Sequence, residues 1–536
     1  MRQGVAVRGV ELSKIKSDSS NKLTTGERIL MRRWFLSLAS IMFGNLVLSV
    51  GSALVAIALW LSGGMGRPVA CAFALLALWA LRCAVVRTPR PPVILRLGGF
   101  EWDLFSFCRG WLITGQVGAG KTAGAINTML WQVSKNCPTW GGLCVDDKGL
   151  YWETLSPMLG GLGRASDLIL LQVRPENAGP EWQPVHRFNF LDDPHLPFSA
   201  KAKIVCDVAG GIGQRSEQSF FRMQAQVQME FAFKALHCAG LPVTLENTYE
   251  FLSTDRLMHE IMEMVVKKDT AEARSLAEHF QGNLLAQPAE QLGGVKTTIA
   301  NYLKYFTEPD IAEVFCPKQS TFRMEDIDRG KVICVSIPQR YSVERRYINT
   351  LLKLAFYAHA LRRYDRPIEE RSRDNLIILW ADEAQKIVTA SDQGMSDYNV
   401  VDVIREARAT VVAATQSYAS LIPPMGDERK AKVFIANMAN RITFCAADED
   451  SAKIAADTLG KRKSRRRTVS YGSGKRSTSW TDEDKYHIEP HELRRLSKFQ
   501  AVVQHCDLGF RKVKIPPRGS DGQVPSWYRK TASCRP

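Results

Sequence analysis

The sequence contains no C-x-x-C pair and no His/Cys cluster at zinc-ligand spacing, although 12 of its 536 residues are cysteine. Their absence argues against a structural zinc site and against a dithiol redox motif. The cysteines are scattered, and Cys71, Cys83 and Cys144 lie in apolar segments or in a predicted strand. We interpret them as reduced, small core residues of a cytosolic domain.

The sequence also lacks internal repeats and any sequence-specific DNA-binding motif. Its positive and negative charges are not balanced. Lysine and arginine exceed the acids by 71 to 55, which gives a formal net charge of +16 and a pI of about 9.3. This excess favours an anionic partner, either nucleic acid or the inner membrane leaflet. Any DNA contact should therefore be made to the backbone, without sequence preference. The length predicts two or three domains.

Residues 34–66 carry no charge at all. Residues 34–61 are long enough to cross a bilayer, and a second apolar segment follows at 68–86. Basic residues flank the outer ends, whereas the intervening turn has one; they are Arg28, Arg32, Arg33, Arg87 and Arg90 outside and Arg67 in the turn. We predict a two-helix transmembrane anchor at 34–87 in the inner (cytoplasmic) membrane. The alternative is a buried helical hairpin.

A complete phosphate-binding loop of the form G-x-x-x-x-G-K-[ST] begins at Gly115. It follows the apolar run 111–114, a predicted strand, and precedes a segment that can form a helix, which is the context this motif requires. We predict that Lys121 contacts the β- and γ-phosphates of ATP and that Thr122 ligates Mg²⁺. The predicted nucleotide-binding residues are Gly115, Gln116, Val117, Gly118, Ala119, Gly120, Lys121 and Thr122.

A second apolar run, residues 376–381, ends in two carboxylates, Asp382 and Glu383. Such a run is typical of a central parallel strand, and ligands bind at the carboxyl edge of such sheets. We predict that Asp382 helps to hold Mg²⁺ and that Glu383 orients or deprotonates the attacking water. The alternative is a strand that merely leads into an acidic loop.

Strands alternate with helical stretches through most of the remaining chain, which predicts a doubly wound, largely parallel α/β sheet. Between about 216 and 318 the alternation stops, and apolar residues such as Phe220, Met223, Val227, Phe231 and Leu236 recur at helical spacing, as expected of a core-facing stripe. The predicted divisions are an N-terminal segment at 1–33, the anchor at 34–87, a first nucleotide-binding part at 88–215, an all-α insertion at 216–318, a second nucleotide-binding part at 319–515 and a flexible tail at 516–536.

The most basic stretch, residues 461–467, has six cations in seven positions and opens a polar segment that reaches residue 484. We interpret 461–484 as a mobile loop, which is either a solvated linker or a contact to nucleic-acid phosphate. Tyr471 and Trp480 are its only aromatic residues suited to base stacking.

Several polar residues elsewhere are candidates for the same site. Gln416 ends the predicted strand after Glu383 and could contact the attacking water and the γ-phosphate, or simply hydrogen-bond at a strand end. An arginine supplied by a neighbouring subunit could stabilise the transition state. We rank Arg405 first, then Arg441, then Arg408, with a surface ion pair as the alternative for each. The segment 146–149, Asp-Asp-Lys-Gly, either shapes its loop or contacts the site indirectly.

In this order, the motifs resemble those of the type IV coupling proteins, the TraG/TraD-like group of conjugative and type IV secretion systems. The resemblance rests on the anchor, the loop at 115–122, the D-x-K-G element at 146–149, the helical insertion, and the segments 322–338, 381–385 and 415–417. Leu150 stands where the family commonly has an acidic residue.

The resemblance implies a RecA-like P-loop ATPase that forms a homohexamer and uses ATP and Mg²⁺. It further implies partners: DNA, a relaxase–DNA complex and the components of a secretion channel. The expected function is to couple ATP hydrolysis to the transfer of DNA, single-stranded and protein-bound, into that channel. The alternatives are an FtsK- or HerA-type double-stranded DNA translocase, a coupling ATPase for protein effectors only, and a non-catalytic scaffold that binds nucleotide. Glu383, Lys121, Gln416 and Arg405 are the expected catalytic residues.

Overall fold

A nine-stranded sheet forms the centre of this computed structural model, which describes residues 91–212, 219–392, 394–472 and 475–533. The strands are β1 (Leu95–Leu97), β2 (Phe100–Trp102), β3 (Trp111–Thr114), β4 (Gly141–Val145), β5 (Leu168–Gln172), β6 (Val332–Ser336), β7 (Ile377–Ala381), β8 (Ala409–Thr415), β9 (Asn440–Thr443), β10 (Lys461–Gly472), β11 (Lys475–Tyr486), β12 (Gln500–His505) and β13 (Gly509–Lys514).

The order of the large sheet is β13-β12-β9-β3-β8-β7-β4-β6-β5. The seven strands from β9 to β5 are parallel, whereas β12 and β13 pair antiparallel at one edge. Every residue of β3, β7 and β8 is buried, as expected for strands covered on both faces. The predicted mostly parallel α/β sheet is confirmed. Both β3 and β7 pair parallel with β8, so their carboxyl ends lie on the same side of the sheet. The two predicted nucleotide motifs follow these carboxyl ends.

The helices that cover and extend this sheet are α1 (Leu104–Phe107), α2 (Asn127–Asn136), α3 (Trp152–Gly161), α4 (Phe198–Ile212), α5 (Ser219–Ala239), α6 (Leu245–Ser253), α7 (Asp255–Val266), α8 (Ala271–Glu278), α9 (Ala289–Leu303), α10 (Pro309–Phe315), α11 (Ser342–Arg362), α12 (Ile368–Arg371), α13 (Asp397–Val400), α14 (Ile422–Met425), α15 (Glu428–Asn437), α16 (Glu449–Leu459), α17 (Pro490–Leu493) and α18 (Ser526–Ser533). A π-helical turn at Lys121–Ile126 leads into α2.

The helices α4 to α10 lie between β5 and β6 in the described residues; α5 to α10 fall within the predicted all-α insertion at 216–318, and α4 precedes it. The exact domain boundaries stay predictions. The expected core stripe on α5 is partly wrong, because Phe220, Met223 and Val227 are exposed. Leu236 of the predicted stripe is buried as expected, and the rest of the buried face of α5 includes Ala225, Met229, Ala232 and Phe233. Small alanines allow the neighbouring helices to pack closely there.

The inner-membrane localisation predicted from the sequence is contradicted. Within the four described ranges, no helix is both long enough and apolar enough to cross a bilayer. The two longest, α5 and α11, have 21 residues each and carry charged side chains along their length, including Lys353 in the middle of α11. The predicted spans at 34–61 and 68–86 lie outside the described residues.

Two segments predicted to be mobile or flexible contain regular structure. The basic segment 461–484 forms most of β10 and β11, which pair with each other in a long antiparallel ribbon and, among the described residues, with no other strand. The tail at 516–536 contains α18, and its Arg518 N–H donates a hydrogen bond to the Ala123 carbonyl. A polar sequence can form strands when each strand pairs with a partner, and local composition does not show that pairing.

An ionic cluster lies where β7 and β8 begin, opposite the strand ends that lead into the two nucleotide motifs. The carboxylate of Asp328 accepts hydrogen bonds from His359 (2.9 Å), Arg363 and Arg366. Arg363 is fully buried and also donates to the carbonyls of Asn375 and Ala407. Burial raises the pKa of Asp328, but hydrogen bonds and charge from His359 and Arg363 outweigh it, so the net pKa lies well below its ordinary value.

We expect Asp328→Asn to lower the free energy of unfolding at pH 7 by about 1.5–3 kcal/mol, because asparagine supplies one uncharged acceptor to buried cations. The folded-state pKa lies below the unfolded one, so this stabilisation is present above about pH 4 and is lost as the pH falls further. Urea unfolding at pH 7 and pH 3.5 measures both effects. The exposed Asp365→Asn is the control, and an equal loss for the two variants would contradict the assignment.

Candidate nucleotide site

The phosphate-binding loop leaves β3 and turns back over the start of the π-helical turn. Its shape depends on Gly120, which has φ +110° and a position where an added Cβ would lie 2.5 Å from the Phe499 ring. Gln116 N–H donates to the Cys445 carbonyl (2.8 Å), which fastens the loop to the end of β9. Val117 at the tip is exposed. Glycine is therefore required at 120 by both backbone conformation and space.

Lys121 is buried beneath this loop. Its Nζ donates to the carbonyls of Gly115 (2.7 Å) and Gln116 (3.3 Å). Burial lowers the pKa of Lys121, while the nearby charges of Glu383 and Asp382 raise it. The amine is thus held inside the loop, beside two carboxylates, where a cation can meet a phosphate chain.

The two sequence motifs meet at Thr122 and Asp382, which are 260 positions apart. Thr122 Oγ1 donates to Asp382 Oδ2 at 2.7 Å. Asp382 is the first residue after β7, and its backbone N–H donates to the Val145 carbonyl of β4 (3.1 Å). Burial raises the pKa of Asp382, and the hydrogen bond from Thr122 opposes this. The residues predicted to hold a metal ion are therefore adjacent.

Glu383 has a left-handed backbone, with φ +56°, which is uncommon for a residue other than glycine. Its Oε2 accepts hydrogen bonds from the side-chain amides of Gln385 and of Gln416, the latter at 3.4 Å. Strained backbone is often found at functional sites. Gln416 therefore lies beside Glu383, and its contact with the attacking water and the γ-phosphate stays a prediction. Gln385 was not predicted as a site residue, and its position two residues after Glu383 is the signal that could have found it.

Asp146 extends the group of carboxylates at the same sheet edge. It follows β4, whose Val145 pairs with Ala381 of β7, so that Asp146 lies beside Asp382. Its Oδ2 accepts from Leu150 N–H (3.2 Å), whereas its buried Oδ1 has no hydrogen-bond partner within the described residues. Burial raises the pKa of Asp146, and the charge of Asp382 raises it further. Of the two roles left open for 146–149, the hydrogen bond from Leu150 shows that Asp146 shapes its loop, an indirect contact with the site stays a prediction, and Lys148 is exposed.

These residues fit a magnesium ion. Mg²⁺ prefers hard oxygen ligands and usually keeps several waters, so it needs only one or two protein ligands together with phosphate oxygens. The hydroxyl of Thr122 and the carboxylate of Asp382 supply such oxygens, and the free Oδ1 of Asp146 could accept a hydrogen bond from a metal-bound water.

The three candidate arginines differ in their surroundings. Arg441 is buried and donates to the carbonyls of Met438 and Ile435, where it closes the end of α15. Arg408 donates to the carbonyls of Asp374 and Ser372. Both guanidinium groups are occupied within their own chain. Arg405 is exposed on a 3₁₀ turn (Ile404–Ala407) that precedes β8, at the sheet edge opposite the phosphate loop.

Aromatic residues from the end of the chain close the loop on its other side. Phe499, with φ +65°, donates its backbone N–H to the Ala119 carbonyl and places its ring against Gly120. Tyr528 and Trp527 of α18 contact that ring at centroid distances of 5.4 and 6.1 Å. The loop is thus supported by residues that a motif search does not identify.

Comparison with known proteins finds a family model that matches part of the chain and solved structures that share most of its fold. Residues 378–498 match the family model described as the TraM recognition site of TraD and TraG. The plasmid coupling protein TrwB in complex with the GTP analogue GDPNP is similar in structure, with a TM-score of 0.58 and 15% identity over 82% of this chain and 92% of that one. TrwB in complex with ADP and Mg²⁺ has a TM-score of 0.57, also at 15% identity, with the same coverage. No curated protein matches the chain at a significant level.

The fold is the one seen in TrwB, a mostly parallel α/β sheet, and in this chain the loop with the phosphate-binding motif faces two carboxylates at the ends of neighbouring strands. The resemblance to the TraG/TraD-like type IV coupling proteins is confirmed by the family match and by the fold of TrwB.

Proposed function

We propose that the protein is an ATPase that couples ATP hydrolysis to the recruitment and transfer of DNA into a type IV secretion or conjugation channel. The observation that carries this proposal is the 2.7 Å hydrogen bond between Thr122 and Asp382, which joins the phosphate loop to the acidic strand end. The match of residues 378–498 to the TraM recognition site of TraD and TraG supports a protein partner on the DNA complex. The net charge of +16 supports an anionic cargo.

Each residue of the site has its own role in the proposed hydrolysis. Lys121 would balance charge on the β- and γ-phosphates, and Thr122 and Asp382 would hold the metal. Bound Mg²⁺ would supply electrostatic stabilisation of the phosphate charge. Glu383, held by Gln385 and Gln416, accepts a proton from the attacking water. Its two amide contacts fix the carboxylate orientation, so that the base is positioned before substrate arrives.

Phosphate release from Mg·ATP by the purified protein tests this function. We expect hydrolysis that requires Mg²⁺ and that single-stranded DNA stimulates more than double-stranded DNA. Stimulation by duplex only would indicate a double-stranded DNA translocase, and none by DNA at moderate salt would indicate a coupling ATPase for proteins. An absence of Mg²⁺-dependent hydrolysis would leave only a nucleotide-binding scaffold.

We further propose that the active assembly is a homohexamer in which Arg405 completes a neighbour's site. Its exposure, and its position at the edge opposite its own phosphate loop, support action between subunits only. Arg405→Ala should lower turnover by at least about tenfold. Arg373→Ala, an exposed arginine that precedes β7 at the same edge, is the matched control and should retain activity.

Mixing Glu383→Gln chains with Arg405→Ala chains tests whether Arg405 acts at the site of a neighbouring subunit. A Glu383→Gln chain still presents Arg405, and an Arg405→Ala chain still has a complete phosphate loop and Glu383. Mixed rings should therefore recover part of the turnover. A mixture that stays as inactive as its components, or an Arg405→Ala protein with full activity, would contradict the assignment. Native mass spectrometry in the presence of an ATP analogue measures the subunit number.

A further inference from the structure

The ribbon formed by β10 and β11 is separate from the large sheet. Its register runs from Lys461 opposite Tyr486 to Gly472 opposite Lys475, with 12 residues in each strand. At about 3.3 Å per residue, each strand is roughly 40 Å long. Its described side chains include more cations than acids: Lys461, Arg462, Lys463, Arg465, Arg466, Arg467 and Lys485 against Asp482, Glu483 and Asp484.

One face of the ribbon is internally paired. Residues directly opposite one another in an antiparallel pair share a face. On this face Arg465 contacts Asp482 (3.3 Å), and Lys461 lies over the Tyr486 ring at 4.6 Å. Arg467 lies over the ring of Trp480, 5.8 Å from its centroid, and Trp480 is 62% exposed. Cation–π contacts of this kind present a flat aromatic surface beside a positive charge.

The other face carries charge that the ribbon does not pair. Arg462 is directly opposite Lys485, and Arg466 is opposite Thr481. Like charges that face each other destabilise a strand pair, and a two-stranded ribbon is marginal in stability to begin with. The acid on the same face, Glu483, is opposite Ser464. A bound anion would neutralise the Arg462–Lys485 repulsion.

We propose that this ribbon is a binding site for the phosphate backbone of single-stranded nucleic acid. Arg462, Arg466 and Lys485 would contact phosphates, and Trp480 would stack on a base. Paired strands lie only about 5 Å apart, so a flexible single strand can follow both faces of the ribbon, whereas a rigid duplex meets one face at a time. Exposed aromatic residues within a basic groove are typical of single-strand binding. The inference builds on the proposed function, in which DNA is the cargo.

The salt dependence of binding tests the phosphate contacts. The ribbon variant carries Arg462→Gln, Arg466→Gln and Lys485→Gln; the control, with equal charge loss at exposed positions elsewhere, carries Lys267→Gln, Lys268→Gln and Arg429→Gln. Fluorescence anisotropy with a labelled oligo-dT gives the slope of log affinity against log salt. Each single-strand phosphate contact adds about 0.7 to that slope, so the ribbon variant should lose about 2 relative to the control. Equal slopes for the two variants would overturn the proposal.

A variant that is expected to bind more tightly excludes misfolding as the cause of a change in binding. Glu483→Gln removes the acid from the face that carries Arg462 and Arg466, and we expect it to tighten oligo-dT binding by at least twofold. A damaged fold would weaken binding instead. Unchanged or weaker binding by this variant, with the protein folded by circular dichroism, counts against the site.

Trp480→Ala tests the stacking contact. Loss of one base–aromatic stack should weaken oligo-dT binding by about five- to a hundredfold. Binding of an abasic strand of the same length should not change. Equal losses on both strands would remove Trp480 from the site.

ATP hydrolysis without nucleic acid separates this inference from the proposed function. If the wild-type protein hydrolyses Mg·ATP but the ribbon variant binds oligo-dT like the control, the ribbon inference fails alone. If the wild-type protein hydrolyses no ATP, the proposed function fails whatever the ribbon binds.

Discussion

Glu383→Gln is expected to lower ATP turnover by about a hundred- to ten-thousand-fold while Mg·ATP still binds, because the substitution removes a general base and keeps the side chain's shape. The glutamine oxygen can still accept the hydrogen bonds that Gln385 and Gln416 donate to Glu383. Steady-state phosphate release measures turnover, and binding of a fluorescent ATP analogue measures affinity.

Two further variants distinguish loss of the base from loss of the site. Lys121→Ala should lose nucleotide binding together with turnover, because Lys121 is the buried cation under the phosphate loop. Gln385→Ala should reduce turnover by less than Glu383→Gln, because it removes one of two contacts that orient the base. Near-normal turnover in Glu383→Gln would contradict the catalytic assignment of this carboxylate.

The second large effect is expected on stability, from Lys353→Met. Lys353 on α11 is fully buried; its Nζ donates to Asp397, to Thr389 Oγ1 (3.2 Å) and to the Ile387 carbonyl. Asp397 also accepts from the Tyr357 hydroxyl (2.6 Å) and Thr389 N–H (2.8 Å). Removal of one member of a buried ion pair leaves the other unpaired, which costs about 3–5 kcal/mol. Urea unfolding at pH 7 measures this loss.

A double-mutant cycle identifies the cause. Lys353→Met combined with Asp397→Asn should be less destabilised than Lys353→Met alone, because asparagine leaves no buried charge and its single oxygen still accepts from one of the two donors, Tyr357 or Thr389. Lys453→Met, at an exposed position on α16, should change stability by less than about 0.5 kcal/mol. Equal losses for the single and double variants would mean that packing, not charge, determines the effect. These contacts fasten the segment that follows Glu383, so turnover should fall as well.

The parts of the site that the sequence predicts are those with local signals. Gly120, Lys121 and Thr122 are fixed by a motif whose spacing reflects the shape of the loop. Asp382 and Glu383 follow a wholly apolar strand, and the parallel order of β3, β8 and β7 brings the two motifs to one edge. The alternation of strands and helices predicts a mostly parallel sheet but does not predict the order of its strands.

The parts that were missed depend on partners far away in the chain. The ribbon at β10 and β11 is polar on both faces, so it lacks the alternation that marks a half-buried strand, and its pairing shows only in the register. Phe499 supports Gly120 across 379 positions without any motif of its own. The stripe on α5 was predicted from spacing alone, yet Met223 is exposed because spacing does not determine which face packs.

The position of β3 in the sheet has a consequence for synthesis of the protein. Its two neighbours, β8 and β9, are translated long after it, and Asn127, which follows the phosphate loop, hydrogen-bonds to Arg518, 391 positions later. At about 5–20 residues per second, a ribosome needs roughly 20–80 s to cover that distance. For most of this interval, until residues 409–415 are translated, the nascent chain carries an apolar strand with neither flanking strand made, and the proposed nucleotide site is incomplete. The emerging polypeptide is therefore a natural client for chaperones, and nucleotide can stabilise only the finished chain.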